Sequence, residues 1–381
     1  MKGRTLFCIT VYNGRAFVPR AIRSVLRMAE ADGSVDLLIL DDASPEPGWS
    51  EELAGLCREL GVRYYCTPRN LGIPRNVNLG LRTAVVEGYD NVVIANSDII
   101  VPLGLVAALK RGLDHPGDPV GSVTAWSNNV SIYSLANEAP DLHLNTQEIV
   151  DGIAGVVDDA FGGACIDIPA GISFSILIPT AMVREVGLMD PVYGRGYCEE
   201  IDWSLRARQG GFRNLLAIGT FVYHQGGGSN VSAGLLSEGH TTVPQNEAII
   251  DLRYPMFRDQ VHAFQSSQQI EKANLEAVRQ ILLDAVRSHG YVIEVTDMPV
   301  KAPEGGEVNC VVASDGRSAR IEHRGFVWDE TIPDANPVAH LESVLGSAPA
   351  RVVVAARGRA ADEVRSSVTD SRDAYVYPTR V

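Results

Sequence analysis

Val35-Asp36-Leu37-Leu38-Ile39-Leu40-Asp41-Asp42-Ala43-Ser44 reads as a near-continuous apolar strand that runs into two carboxylates and a turn. A strand with so little alternation is covered on both faces, which parallel sheets with helical crossovers provide. The flanking sequence supplies the crossovers. Upstream, 6–11 reads as a strand and 16–29 places apolar residues near helical spacing, with Pro19 tolerable in the first turn. Downstream, 49–60 reads as a helix, 62–66 as a strand, 74–86 as a helix, and 92–95 as a strand ending in Asn96-Ser97-Asp98. Four β-α alternations predict an open, mostly parallel α/β sheet, in which ligands bind outside the carboxyl ends of the strands. Polar residues just past those ends are the candidates for chemistry.

Beyond residue 100 the pattern weakens. Residues 116–169 are rich in Asn, Gly and Asp, and only a helix over 146–157 stands out. A strand over 171–179, helices over 180–186 and 199–209 and a strand over 214–223 follow, and Gln225-Gly226-Gly227-Gly228-Ser229 reads as a flexible loop. The character then changes. A long amphipathic helix over 268–288 carries Ile270, Leu275, Val278, Ile281, Leu282 and Ala285 on one side, and strands are expected at 291–295, 308–313 and 352–356. We divide the chain into a larger domain, 1–240, and a smaller α/β or helical C-terminal extension, 241–381. The core-like helix of the extension favours a structural or oligomeric role.

With 47 acidic against 33 basic side chains the formal net charge is −14. Broad electrostatic binding to nucleic acid or anionic lipid is disfavoured, and an anionic ligand needs a specific site. The six cysteines, Cys8, Cys57, Cys66, Cys165, Cys198 and Cys310, form no metal-ligand spacing and read as free thiols of a reducing cytoplasm. No export signal is read at the start, and the apolar stretches fall short of the ~20 residues of a membrane helix. The expected location is cytoplasmic, at most peripheral at a membrane.

Four clusters fall at expected strand ends. Thr10-Val11-Tyr12-Asn13 and Asp41-Asp42-Ala43-Ser44 offer carboxylates to accept from a base and Tyr12 to pack on a ring; ordinary turn chemistry competes with that reading. Asn70-Leu71-Gly72-Ile73-Pro74-Arg75-Asn76 opens a helix, and both a helix N-terminus and an arginine fork suit phosphate oxygens. Asn96-Ser97-Asp98 is either an Asx-type turn or a carboxylate able to hold a divalent cation against a diphosphate. Cys198-Glu199-Glu200-Ile201-Asp202-Trp203 starts a helix, and its carboxylates either stabilise the helix dipole or include a general base. His224, before the glycine run, is a structural histidine or a metal ligand.

Taken in order, these motifs resemble those of the inverting GT-A glycosyltransferases of family 2, especially the rhamnosyltransferase and galactofuranosyltransferase-like branch. The resemblance spans residues of about 5–230 and continues through Val186-Gly187-Leu188-Met189-Asp190, Arg206 and Gly211. It implies a GT-A, Rossmann-like fold and transfer of a sugar from a nucleotide-diphosphate donor, UDP- or dTDP-linked, to a hydroxyl of a glycan, lipid-linked or small-molecule acceptor. Residues 1–240 would then be the catalytic domain, and the extension, 241–381, would serve acceptor binding, a lid or oligomerisation. Thr10, Tyr12, Asp42 and Asp41 would hold base and ribose, and Asn70 and Arg75 would line the donor pocket with Asn96 and Ser97. Asp98 would bind Mn2+ or Mg2+, with His224 as second ligand. Glu200 would be the catalytic base where the family has Asp, one methylene shorter, so Asp202 and Glu199 remain alternatives. Asn96 stands at a position that the family usually fills with an acid.

Two rival readings follow from those departures. One is a nucleotide-sugar-binding module with weakened catalysis; the other is a sugar nucleotidyltransferase, although Thr10 to Arg15 lacks a full glycine-rich phosphate loop. No nucleic-acid partner is expected. Self-association into a homodimer stays open.

Overall fold

The computed structural model describes residues 3–138, 143–226, 243–295, 306–333, 336–354, 361–364 and 374–375. The chain forms two compact units, Met1–Leu135 with Leu144–Lys272, and Ala136–His143 with Ala273–Val381.

The first unit opens as the sequence pattern predicts: β1 (Thr5–Val11), α1 (Val18–Asp32), β2 (Val35–Asp41), α2 (Trp49–Glu59), β3 (Arg63–Cys66), α3 (Ile73–Val86) and β4 (Asn91–Ala95). β1 lies between β2 and β4, parallel to both, and β3 extends the parallel run beyond β2. Leu6, Cys8, Leu38, Leu40, Val92 and Ile94 form one core with Val77, Leu81 and Ala84 of α3. Gly80 lets α3 settle close to β1, because a Cβ there would lie 2.8 Å from Cys8 Sγ.

The sheet then turns mixed. After β5 (Ile99–Ile100), α4 (Leu105–Leu113), β6 (Val120–Ser127), α5 (Gln147–Phe161) and β7 (Cys165–Asp167), β8 (Ser175–Pro179) pairs antiparallel with both β4 and β6. Following α6 (Thr180–Val186) and α7 (Glu199–Gln209), β9 (Arg213–His224) runs parallel to β6 and antiparallel to β5 and β7. The strand order is β3-β2-β1-β4-β8-β6-β9-β5, with β7 also on β9. Two antiparallel steps restore direction, so the carboxyl ends of β1, β2, β4, β6 and β9 share one edge.

Much of 99–167 was not legible as elements. All eight residues of β6 are buried, yet Gly121, Ser122, Thr124 and Ser127 break any apolar run. Their polarity is met inside the sheet: Ser122 Oγ donates to Asn214 Oδ1 at 2.9 Å, and Thr124 Oγ1 accepts from Ile172 N at 3.2 Å. The expected strand over 171–179 begins only at Ser175. Two further helices, α8 (Pro244–Arg253) and α9 (Phe257–Ser266), also belong to this unit.

α10 (Gln269–His289) leads into the second unit, which holds β10 (Tyr291–Val295), β11 (Val308–Val312), β12 (Ser318–His323), β13 (Phe326–Thr331), α11 (Pro337–Leu345), β14 (Arg351–Val354) and β15 (Ala374–Tyr375). Its sheet order is β13-β12-β11-β10-β14-β15, parallel from β11 through β15 and antiparallel at β11-β12-β13. The extension is therefore α/β. On α10, Ala277, Val278, Ile281, Leu282 and Ala285 are buried, whereas Leu275 is exposed. Leu275 stands two residues from Ala273 and Ala277, roughly 200° around the helix, so it leaves the apolar stripe.

Close backbone approach makes one glycine indispensable. A Cβ on Gly219 would lie 1.8 Å from Gly162 O, whereas Gly55 in the middle of α2 has nothing within 4 Å. Gly219→Ala should cost at least about 2 kcal/mol. Gly55→Ala should stabilise by about 0.5–1 kcal/mol. Urea unfolding of both variants checks the contrast.

Candidate active site

The carboxyl edge of the first sheet gathers the expected site residues into three groups. In the first, β2 ends on two carboxylates with different surroundings. Asp41 is fully buried, and its Oδ1 accepts from Ser44 N at 3.0 Å and Ser44 Oγ at 2.6 Å. Its Oδ2 accepts from Ser50 Oγ at 2.6 Å and Tyr64 OH at 2.8 Å. Four donors fill Asp41 from the turn after β2, from α2 and from β3, so its oxygens face protein. Asp42 reaches the next loop: Oδ1 accepts from Thr67 Oγ1 at 3.0 Å and Leu71 N at 2.8 Å, and Oδ2 from Gly72 N at 2.8 Å. Thr10 Oγ1 donates to Ala95 O at 3.3 Å, and Tyr12 is half-buried just past β1.

The second group surrounds the start of α3. Asn70 Oδ1 accepts from Gly72 N at 3.0 Å, an Asx turn that leads into the helix. Arg75 is exposed in the first turn, while Asn76 is buried and donates to Leu40 O at 3.0 Å, so Asn76 serves the fold. Gly72 has φ +82°, and a Cβ there would lie 2.1 Å from Gly194 O. Ile73 N donates to Arg195 O at 3.3 Å. The turn that precedes α7 thus packs directly on the start of α3.

The third group is built by the β5–β9 ladder, which pairs Ile99 with His224. His224 Nε2 lies 3.3 Å from Asp98 Oδ1 and 3.1 Å from Asn96 Nδ2, and Ser97 is buried. The other ring nitrogen, Nδ1, is 2.8 Å from Asn129 O and donates to it. Burial works against a charged ring, but Asp98 and the Asn129 carbonyl outweigh it and raise the His224 pKa, so Nε2 offers its lone pair to a ligand only on losing its proton. Asn128 holds the His224 backbone at both groups: Oδ1 accepts from His224 N at 2.8 Å and Nδ2 donates to His224 O at 2.9 Å. Phe174 lies against the ring at 5.3 Å between centroids. Burial works against the Asp98 charge, but the His224 ring and the Gly226 N–H, 3.0 Å from Oδ2, outweigh it and hold its pKa below the usual range. Asn128 and Asn129 escaped the sequence reading because they follow a strand whose polar residues hid it. Of the glycine run after His224, residues 227–229 lie outside the described residues.

α7 carries the remaining carboxylates. Asp202 is fully buried among donors, taking Arg253 Nη1 at 2.8 Å, Tyr254 OH at 2.9 Å and Tyr193 OH at 3.2 Å on Oδ1, and Arg206 Nε at 2.9 Å on Oδ2. Glu199 and Glu200 differ from it: among the described residues, neither Oε2 has a hydrogen-bond partner. Burial, and then the neighbouring Glu200 charge, push the Glu199 carboxyl well above its ordinary range. Burial also pushes Glu200 up to about 7, against the pull of the Glu200 and Ile201 N–H groups. A carboxylate that titrates near neutrality can accept a proton from a hydroxyl.

Residues 6–166 match the family described as Glycosyl transferase family 2. This stretch, less than half of the chain, carries a glycosyl transferase family 2 domain. Among solved structures the glycosyltransferase is similar to mannosyltransferase PcManGT from Pyrobaculum calidifontis in complex with GDP-Man and Mn2+, with 13% identity, 76% of each chain covered and a TM-score of 0.45. It is similar to GalNAc-T7 with UDP, GalNAc and Mn2+, at 13% identity over 88% of this chain and 68% of that one, TM-score 0.45. It is also similar to S. aureus TarS, at 12% identity over 74% of this chain and 40% of that one, TM-score 0.41. No match is found among curated proteins. The mixed, mostly parallel α/β sheet is the fold class expected of a GT-A glycosyltransferase, and among the described residues no helix is long and apolar enough to cross a membrane.

The glutamate pair of this glycosyltransferase couples stability to pH. Native Glu200 binds its proton more tightly than the unfolded chain does, so its contribution is fully present below about 4.5 and is lost as pH rises through about 7. Glu200→Gln, which cannot ionise, should therefore gain stability relative to the parent between pH 5 and pH 8. Urea midpoints of both proteins at the two pH values check the sign.

Proposed function

We propose that the protein transfers a sugar from a nucleoside diphosphate sugar, UDP- or dTDP-linked, to an acceptor hydroxyl with inversion, and that Glu200 is the general base. The observation that carries this reading is the Glu200 carboxylate. It stands in the first turn of α7, with an oxygen that no described group engages and a pKa raised to about 7. Asp202 is the weaker candidate because four donors occupy it, and Glu199 is held neutral by burial and by Glu200. We assign Asp202 to anchoring α7 and Glu199 to keeping the charge of the pair on Glu200.

Catalysis begins with donor binding at the carboxyl edge. Thr10, Tyr12 and Asp42 would meet the nucleoside, with Asp41 supporting Asp42 from behind. Asn70 and the exposed Arg75 would meet the diphosphate, where the α3 N-terminus adds its dipole. Asn96 and Ser97 would close the pocket on the other side.

The residues at the end of β9 fit a hard divalent cation. Two donors on one cation at bond lengths near 2.1 Å lie about 3 Å apart when adjacent, close to the 3.3 Å between Asp98 Oδ1 and His224 Nε2. Among the described residues no group of three or more His, Cys, Asp or Glu could hold a metal, so diphosphate oxygens and water would complete the shell. Bound there by Asp98 and His224, Mn2+ or Mg2+ supplies charge neutralisation for the departing diphosphate. Glu200 takes the acceptor proton as its oxygen attacks the anomeric carbon from the face opposite the leaving group, and one such displacement inverts the centre. Arg75 remains with the released nucleoside diphosphate.

Thermal shift of the full chain with UDP, dTDP and GDP, each with and without Mn2+, tests donor and metal together; a ligand at 100 times its Kd adds about 2.7 kcal/mol. Asp98→Ala should lose the Mn2+-dependent part of the shift. Glu200→Gln should keep the shift and lower nucleotide release from the matching donor at least about a hundredfold. Near-parental turnover of Glu200→Gln with donor and acceptor saturating would show that another group is the base.

A further inference from the structure

The turn that launches α7 is built against backbone preference. Tyr197 and Cys198 have φ of 72° and 73°, two consecutive side-chain-bearing residues in the left-handed region, and Glu199 follows at once as the first residue of the helix. Such a pair persists only where the surroundings over-determine it. The surroundings here are one side of α8. Asn246 is 8% exposed, and its Nδ2 donates to Gly196 O at 2.7 Å, Tyr197 O at 2.9 Å and Tyr193 O at 3.1 Å. Four residues on, Ile250 packs with Tyr193 and Cys198 in a small buried cluster. One turn further, Arg253 reaches Asp202 Oδ1 at 2.8 Å and Asp190 Oδ2 at 2.8 Å. Positions i, i+4 and i+7 share a helix face, so α8 grips the turn before Glu199 and the side chain three residues after it.

We propose that Asn246 is a positioning residue for Glu200, setting where α7 begins and so where the Glu200 carboxylate stands. This rests on the reading of Glu200 as the base. An amide NH2 is suited to the task because it offers two hydrogens, one of them shared, to the three converging carbonyls, whereas Ala offers none and Asp would bring an anion against them. Without those donors nothing on α8 compensates the carbonyls of 193, 196 and 197, and the left-handed pair is free to relax. If the first turn of α7 slips by one residue as that pair relaxes, Glu200 moves by about 1.5 Å along the axis and turns away from its present direction. Misplacement near 1 Å costs about a hundredfold in rate. Asn246 lies beyond the family-matched stretch, which ends at residue 166.

The test uses the full chain with Mn2+ and a panel of UDP-, dTDP- and GDP-sugars, reading nucleotide release and amide hydrogen exchange for the parent, Asn246→Ala and Asn246→Ser. We expect Asn246→Ala to lower kcat about a hundredfold with donor KM within about twofold. The acid limb of its pH profile should move from near 7 toward the ordinary carboxylate range, and exchange should rise at 197–203 while β1 and β4 stay protected. Asn246→Ser, with one donor left, should fall between the two, and it carries the test should the alanine variant fail to fold. Unchanged kcat and pH profile in a folded variant would overturn the proposal, as would exchange that rises throughout the first unit with donor affinity lost in parallel. Should the parent release no nucleotide from any donor, the reading of Glu200 as base fails by itself. The exchange pattern at 197–203 then still decides whether Asn246 sets the start of α7.

Discussion

Much of the candidate site edge depends on one carboxylate at the end of β2. Asp42 ends β2 and accepts from Thr67 Oγ1, Leu71 N and Gly72 N, so it draws the loop after β3 against the sheet. A carboxylate that takes two backbone N–H groups is a rigid joint, because releasing them would strand buried donors. That joint places Gly72, and Gly72 in turn lets the Gly194 carbonyl approach to a distance that no side chain would allow. The turn before α7 is thereby referenced to the end of β2, and the proposed base and the proposed donor pocket share one framework.

The sequence made the first half of this framework legible. Apolar strands 6–11, 35–40 and 92–95 are visible because both faces of a parallel sheet are covered, and the helices between them keep a clear stripe. Legibility ended where burial and polarity part company. β6 sits inside the sheet with Ser122 and Thr124 satisfied by Asn214 and the Ile172 N–H, and pattern reading takes such a segment for a loop. Missing β6 meant missing Asn128 and Asn129, whose contacts orient His224.

Carboxylates posed the opposite difficulty. Asp41, Asp42, Asp202 and Glu200 all looked like candidates, since sequence displays an acid but not the donors that face it. Tyr64 reaches Asp41 from β3, and Arg253 and Tyr254 reach Asp202 from the end of α8 and the residue after it, about fifty residues later. Only the folded arrangement separates an acid saturated by protein from one with an oxygen to spare. Asn246 was invisible for a related reason: its partners are main-chain carbonyls, which carry no sequence signature.

The ladder between β5 and β9 also bears on the order in which the molecule assembles. Asp98 lies in the three-residue step where the chain leaves β4 and becomes β5, and its partner His224 is the final residue of β9. Their proximity is a non-local contact closed by the last strand of the first sheet to leave the ribosome. Long loops must be closed before such a contact yields stabilisation, which makes it a late event in folding. The parallel half of the sheet, β1 to β4, can collapse around α3 well before then. A growing chain therefore acquires its core early and the Asp98–His224 pair late, so the proposed cation site is complete only when nearly the whole first unit has been made.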